Sequence, residues 1–147
     1  MTTITLDTRI EDFYFDMQSA HAILVCLNES VKKNKDKQLA PIFTKLRTFE
    51  LAMAESLSKF EKLYQVEQFP HSATVDIQEV LLCKWQTEQL NNSLSELYEE
   101  LPNLSTFASS RKIEKAALDG FYGVRSLIAR ALDLLNDQLS NPAKKAA

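Results

Sequence analysis

A chain of 147 residues, 45% hydrophobic and 25% charged, is long enough for one domain with a single core and too apolar for global disorder. Its net charge of −3 excludes a general attraction to nucleic acid or acidic membranes, and two glycines with four prolines are too few turn-formers for a sheet protein. The densest apolar stretch, residues 22–27, is far short of the about 20 residues that cross a bilayer, so no membrane association is expected.

The first residues, 1–7, lack the basic patch and apolar block of a secretory signal, which sets the cytoplasm as the expected location. From Leu6 the chain turns periodic: Ile10, Phe13, Met17, Ala20, Leu24, Leu27 and Val31 follow at alternating steps of four and three. That is a helical heptad seam. Thr8 and Glu11 fit a capping box, and the helix should end in the polar run 32–37. Within it AILVCL, residues 22–27, is apolar on every face, and Phe13, Tyr14 and Phe15 are consecutive, so one aromatic must face off the seam. Such a helix is either the most buried of its fold or covered by a second chain. Tyr14, Phe15, Ile23 and Val25 are therefore candidate partner-surface residues, and a homodimer through this helix is expected ahead of a monomer.

A second seam runs Leu39, Ile42, Leu46, Phe49, Met53, Leu57, Phe60 and Tyr64, with Pro41 in the first turn, where proline is tolerated. Residues 68–74 read as a connection. The third seam is Val80, Cys83, Thr87, Leu90, Leu94, Leu97 and Leu101, with Thr74 as the expected N-cap and Pro102 as the stop. The fourth helix carries a broader stripe from Ile113 to Leu139 and ends before Pro142. Both glycines, Gly120 and Gly123, fall inside it, each at a cost of about 1 kcal/mol relative to Ala. They serve either close packing against Phe13, Phe49 or Trp85, or a groove or hinge used in binding. The expected fold is all-α, an antiparallel up-down-up-down four-helix bundle in one domain over 1–147. Its helices are placed at about 7–33, 38–67, 75–101 and 109–140, with a tail at 142–147.

In that topology Lys32, Lys33, Lys35 and Lys37 share one end with Arg111, Lys112 and Lys115. The plain reading is bases near helix C-termini and acids near N-termini. The alternative is a basic end that docks a nucleic-acid backbone, disfavoured because no face pairs dense Arg/Lys with stacking aromatics.

No catalytic residue, cofactor site or metal site is assigned. His21 sits beside the first seam, but the Lys and Gly that follow the histidine in phosphotransfer bundles are missing from Ala22–Cys26. Paired Glu-x-x-His motifs of di-iron bundles are missing too. Cys26 and Cys83 differ by roughly 16 Å in height along their helices, which speaks against a disulfide or redox pair. Arg125 and Arg130 interrupt the apolar half of the fourth helix and read as snorkelling surface arginines; if buried, Asp16, Glu50 or Glu88 would have to pair with them. The expected function is a non-enzymatic helical protein–protein interaction module of adaptor, immunity or chaperone type. Its partner is unidentified, and the alternative is a regulatory nucleic-acid-associated protein.

Overall fold

The computed structural model describes residues 2–33, 40–66, 68, 72–99 and 115–142. Among these the chain is mostly helical: four long helices and a two-stranded sheet. The order is β1 (Thr3–Asp7), α1 (Arg9–Lys33), α2 (Ala40–Tyr64), β2 (Ser72–Asp76), α3 (Ile77–Glu99) and α4 (Lys115–Ser140). Among the described residues, each strand is followed by two long helices.

The sheet corrects the expectation of helices alone. TITLD and SATVD are short segments rich in β-branched residues. They pair antiparallel with Thr5 opposite Thr74, and their hydroxyl oxygens lie 3.0 Å apart. Leu6 belongs to β1, not to the first turn of a helix, yet it is fully buried and joins the core that α1 continues at Ile10 and Phe13. Its side chain extends the helical seam although its backbone does not. Likewise Thr74 and Val75 are strand residues, so the third helix starts at Ile77 and not at about 75 behind a Thr74 cap.

Each strand hands over to its helix through an aspartate. The Asp7 carboxylate Oδ1 accepts the Arg9 backbone N–H at 3.0 Å, and Asp76 Oδ1 accepts that of Gln78 at 2.9 Å. A carboxylate suits these positions because the first helical N–H groups have no partner inside the helix and carry the positive end of its dipole. Asp7, not Thr8, therefore supplies the side-chain cap of α1. At the other end of α2, Gln65 adopts a left-handed backbone (φ 57°) and the Val66 N–H donates to the Glu61 carbonyl at 3.1 Å. This closes the helix in the Schellman manner at a residue type that pays about 1 kcal/mol or more for that conformation.

The four helical seams meet in one core: Leu24, Phe49, Leu94 and Ile128 are all buried, with Phe13, Met53, Phe60, Tyr64 and Leu135 around them. The most extensive helix contact is α1 with α4, followed by α1 with α2; α3 adjoins α4 and, least extensively, α2. The α1–α4 approach is close because α4 carries glycines there. A β-carbon on Gly120 would stand 3.3 Å from Leu27 Cδ2 and 3.5 Å from Ile23 Cγ2, and one on Gly123 would stand 3.8 Å from Ile23 Cδ1. The neighbours of the glycines are thus Ile23 and Leu27, where Phe13, Phe49 and Trp85 were the expected ones. The AILVCL stretch divides by face: Leu24 and Leu27 are buried, Ile23 and Val25 half-buried, and Ala22 and Cys26 exposed.

Candidate functional site

Polar side chains tie α1 to both of its neighbours. Asp16 is buried, and its carboxylate takes a bidentate pair of bonds from Arg130 on α4, Nε to Oδ2 at 2.7 Å and Nη2 to Oδ1. The Arg130 side chain is 67% exposed against 8% for Asp16. The arginine therefore lies on the surface, as its sequence context implied, and folds its head over a buried acid; that carboxylate raises the guanidinium pKa further. On the α2 side, the Asn28 amide donates to Glu50 Oε2 at 2.6 Å and to the Leu46 carbonyl at 3.3 Å, while the Tyr14 hydroxyl donates to Glu61 Oε1 at 3.1 Å. Burial first, then the bond to Glu61 and its charge, raise the Tyr14 pKa.

At the strand–helix end, Arg9 donates through Nε to Asp7, through Nη1 to Asp137 at 3.3 Å and through Nη2 to the Asn141 carbonyl at 2.6 Å. With its amide nitrogen toward Asp7, the fully buried Gln138 donates to Asp7 Oδ1 at 3.0 Å and accepts from Arg9 Nη2 at 3.1 Å. The hydrogen bond from Arg9 holds the Asp7 carboxyl below its usual pKa against the opposing effect of burial. This network joins β1 to the C-terminal end of α4, where a cation complements the helix dipole.

The residues singled out from sequence do not form one surface. Tyr14 is buried, stacked on Phe60 with ring centroids 5.9 Å apart, while Phe15 beside it is exposed. Both line a cleft of about 690 Å³ between α1 and the end of α2, together with Gln18, Glu61, Lys62 and Gln65. Ile23 lies on the opposite flank of α1, against Gly120 and Gly123, and Val25 is half-buried apart from either group. Of the basic end, Lys35, Lys37, Arg111 and Lys112 fall outside the described residues; Lys32, Lys33 and Lys115 are described only as helical backbone.

A second surface was not anticipated. On α3, Trp85 is 57% exposed, Leu82 42% and Leu81 41%. At about 100° per residue these three fall within an arc of about 100°, on the side opposite Val80, Cys83, Thr87 and Leu90. Beside them lies a groove of about 370 Å³ between α2 and α3, floored by Phe49 and Leu90 and edged by Ala52, Gln86 and Gln89. The signal was present in the sequence: Leu81, Leu82 and Trp85 are apolar residues off their helix's seam.

Cys83 is buried, and burial pushes its thiol up to about 12, partly offset by Thr87, so it stays protonated at neutral pH. Cys26 is exposed, and neither cysteine is in a disulfide. His21 Nε2 and Asn28 Oδ1 are buried without a hydrogen-bond partner among the described residues. No group of three or more His, Cys, Asp or Glu side chains among those residues is placed to hold a metal ion, and no described helix is long and apolar enough to cross a membrane. No known family, curated protein or solved structure matches the chain.

Proposed function

We propose that this chain is a non-enzymatic protein–protein interaction module, built as an antiparallel up-down-up-down four-helix bundle and working through the outer face of α3. The antiparallel reading draws support from opposite-sense pairings: Tyr14 with Glu61 and Asn28 with Leu46 between α1 and α2, Arg9 with Asp137 and Leu27 with Gly120 between α1 and α4.

The observation that carries the functional reading is the Leu81–Leu82–Trp85 cluster. A lone exposed leucine is ordinary on a soluble protein. Two leucines and a tryptophan together on the outward face of one helix, next to an apolar-floored groove, make an apolar patch around a tryptophan, a residue type enriched among the anchors of binding interfaces. The partner this face fits is a second copy of the chain. Two of the charge pairs beside it are matched within their own helices, Lys84 with Glu88 at 3.7 Å and Lys59 with Glu55 at 3.2 Å, which lowers like-charge repulsion between two copies. Two α3 helices lying antiparallel across a twofold axis near residue 83 bring each Trp85 onto the other's Leu81, an isologous contact.

Size-exclusion chromatography with light scattering tests this. The parent chain should elute as a dimer, and Leu82→Glu with Trp85→Glu as a folded monomer with an unchanged helical spectrum. A parent that stays monomeric at every concentration, or a double variant that still dimerises, would overturn it.

A further inference from the structure

One side of β2 pairs with β1, and the register fixes what the other side offers. The Ile77 N–H donates to the Thr2 carbonyl at 3.0 Å. Counting back in steps of two along the antiparallel ladder makes Val75 with Ile4 and Ala73 with Leu6 the hydrogen-bonded pairs. Ser72 and Thr74 therefore turn both backbone groups away from β1, and Asp76 turns its N–H the same way. Among the described residues no strand pairs with that edge. We propose that it takes up an extended segment of another protein as a third, antiparallel strand, in which hydroxyl or basic side chains alternate with apolar ones.

A row of N–H and C=O groups at this spacing is matched by another extended backbone, the chemistry of strand addition. The far side of β1 is more enclosed: Ile4, Thr5 and Leu6 are buried, and the Asp7 carbonyl meets the Tyr64 hydroxyl at 3.5 Å. On β2, Ser72 and Thr74 are exposed. Edge strands are commonly guarded by proline, lysine or a bulge; SATVD contains neither residue, and its register runs unbroken. The sheet's two faces set the alternation. Ala73 and Val75 pack on the core yet stay half-buried, so apolar side chains beside them would complete their burial. Thr74 lies on the other face, its hydroxyl oxygen 3.0 Å from that of Thr5, which suits a hydroxyl neighbour. Charge selects the occupant. Asp76, and Glu79 in the first turn of α3, have no ion pair among the described residues. A basic residue opposite Asp76 answers that charge, whereas a second copy of β2 would bring its own Asp76 and Glu79 to the same edge.

The test is an NMR titration of the full chain with acetyl-Lys-Val-Thr-Ile-Ser-amide. Running antiparallel, its Lys stands opposite Asp76, its Thr opposite Thr74 and its Ser opposite Ser72. The amides of Ser72, Thr74 and Asp76 should shift saturably. The Thr74 amide should exchange quickly in the free chain and slowly in the complex, while Ala73 and Val75 stay protected throughout. N-methylation at the peptide's Thr, whose N–H faces the Thr74 carbonyl, should cost at least about tenfold in affinity; N-methylation at its Val, whose N–H faces water, should leave binding nearly unchanged. Replacing the peptide's Lys by Glu should weaken binding, and Asp76→Asn, which retains a helix cap, should remove that preference. Thr74→Pro should abolish binding with an unchanged helical spectrum, because β1 does not use the Thr74 N–H. If that variant fails to fold, the two methylated peptides decide alone. No saturable shift, equal binding of the methylated peptides, a folded Thr74→Pro variant that binds like the parent, or a Thr74 amide protected in the free chain would each overturn the proposal. So would Thr74 shifts that follow the chain's own concentration and ignore the peptide, which assign the edge to a second copy. Leu82→Glu with Trp85→Glu should leave the titration unchanged, which separates this edge from the α3 face.

Discussion

The first half of the chain, β1-α1-α2, and the second, β2-α3-α4, share a plan and differ in how tightly the leading strand and helix are held. β1 buries Ile4, Thr5 and Leu6 in succession, whereas β2 buries none of its five residues. α1 is bonded sideways through Asp16, Asn28 and Tyr14 to both α4 and α2. Among the described residues, the hydrogen bonds and ion pairs of α3 side chains stay inside α3: Thr87 to the Cys83 carbonyl, Ser95 to the Asn91 carbonyl, Lys84 to Glu88. Among the described residues, no α3 side chain is hydrogen-bonded or ion-paired to another helix, and the Ile77 backbone N–H, bonded to the Thr2 carbonyl at 3.0 Å, fastens the helix start; Leu81, Leu82 and Trp85 still turn outward. The lesson is a division of labour. Specific polar ties fasten α1 on two sides, whereas α3, without such side-chain ties among the described residues, leaves apolar surface exposed.

The hardest way to break that arrangement is at its centre. Leu24→Asp places a charge at a fully buried position and should cost more than about 4 kcal/mol, enough to unfold a domain of ordinary stability. Circular dichroism should show the helical signal lost at room temperature, and a variant that melts like the parent would contradict the α1 assignment. Next in size is Arg130→Ala. It strands Asp16 in the interior without its partner and should lower the melting temperature by several degrees, more than Asp16→Asn, which keeps an acceptor for the arginine.

Glycine substitutions sharpen the α1–α4 contact. At Gly123 an added β-carbon meets only ordinary contact distance, so Gly123→Ala should stabilise by about 0.5–1 kcal/mol through helix propensity. At Gly120 the Leu27 methyl group must yield a few tenths of an ångström, so the gain there should be smaller or absent. A chemical denaturation series on the two variants reads the difference.

The smallest effect is acid sensitivity at the strand–helix junction. Asp7 titrates below its unfolded value of 3.8, so its contribution is complete above that value and is lost as pH falls toward the lower folded one. Asp7→Asn should flatten this part of the stability profile below pH 3.8 and leave its shape near neutrality unchanged.

Much of the helical core was legible from residue spacing. Ile10 to Leu27, Leu46 to Tyr64, Val80 to Leu94 and Phe121 to Leu135 each mark a buried stripe, since hiding apolar side chains on a helix demands that period. The strands were not legible. A five-residue strand finds its partner about seventy positions away, and nothing local to TITLD announces SATVD. Leu6 deepened the error, because a buried strand residue happened to continue the heptad count of α1. At the cleft, Tyr14 and Phe15 could be named from the run of three aromatics, but Glu61 and Gln65 could not, since only the packing of α1 on α2 brings them together. The apolar face of α3 is written in the sequence as three residues outside the seam, whereas the all-apolar run AILVCL divides into two buried, two half-buried and two exposed residues, so its composition alone does not say which face is covered.

Trp85 is the chain's single tryptophan, so its fluorescence reports on the α3 face without labelling. Emission recorded across a dilution series tests the contrast between the two halves most directly. The account predicts a water-exposed spectrum at high dilution that moves to the blue as copies associate through α3. A buried-indole spectrum at the highest dilution, or an exposed one at every concentration, would contradict it.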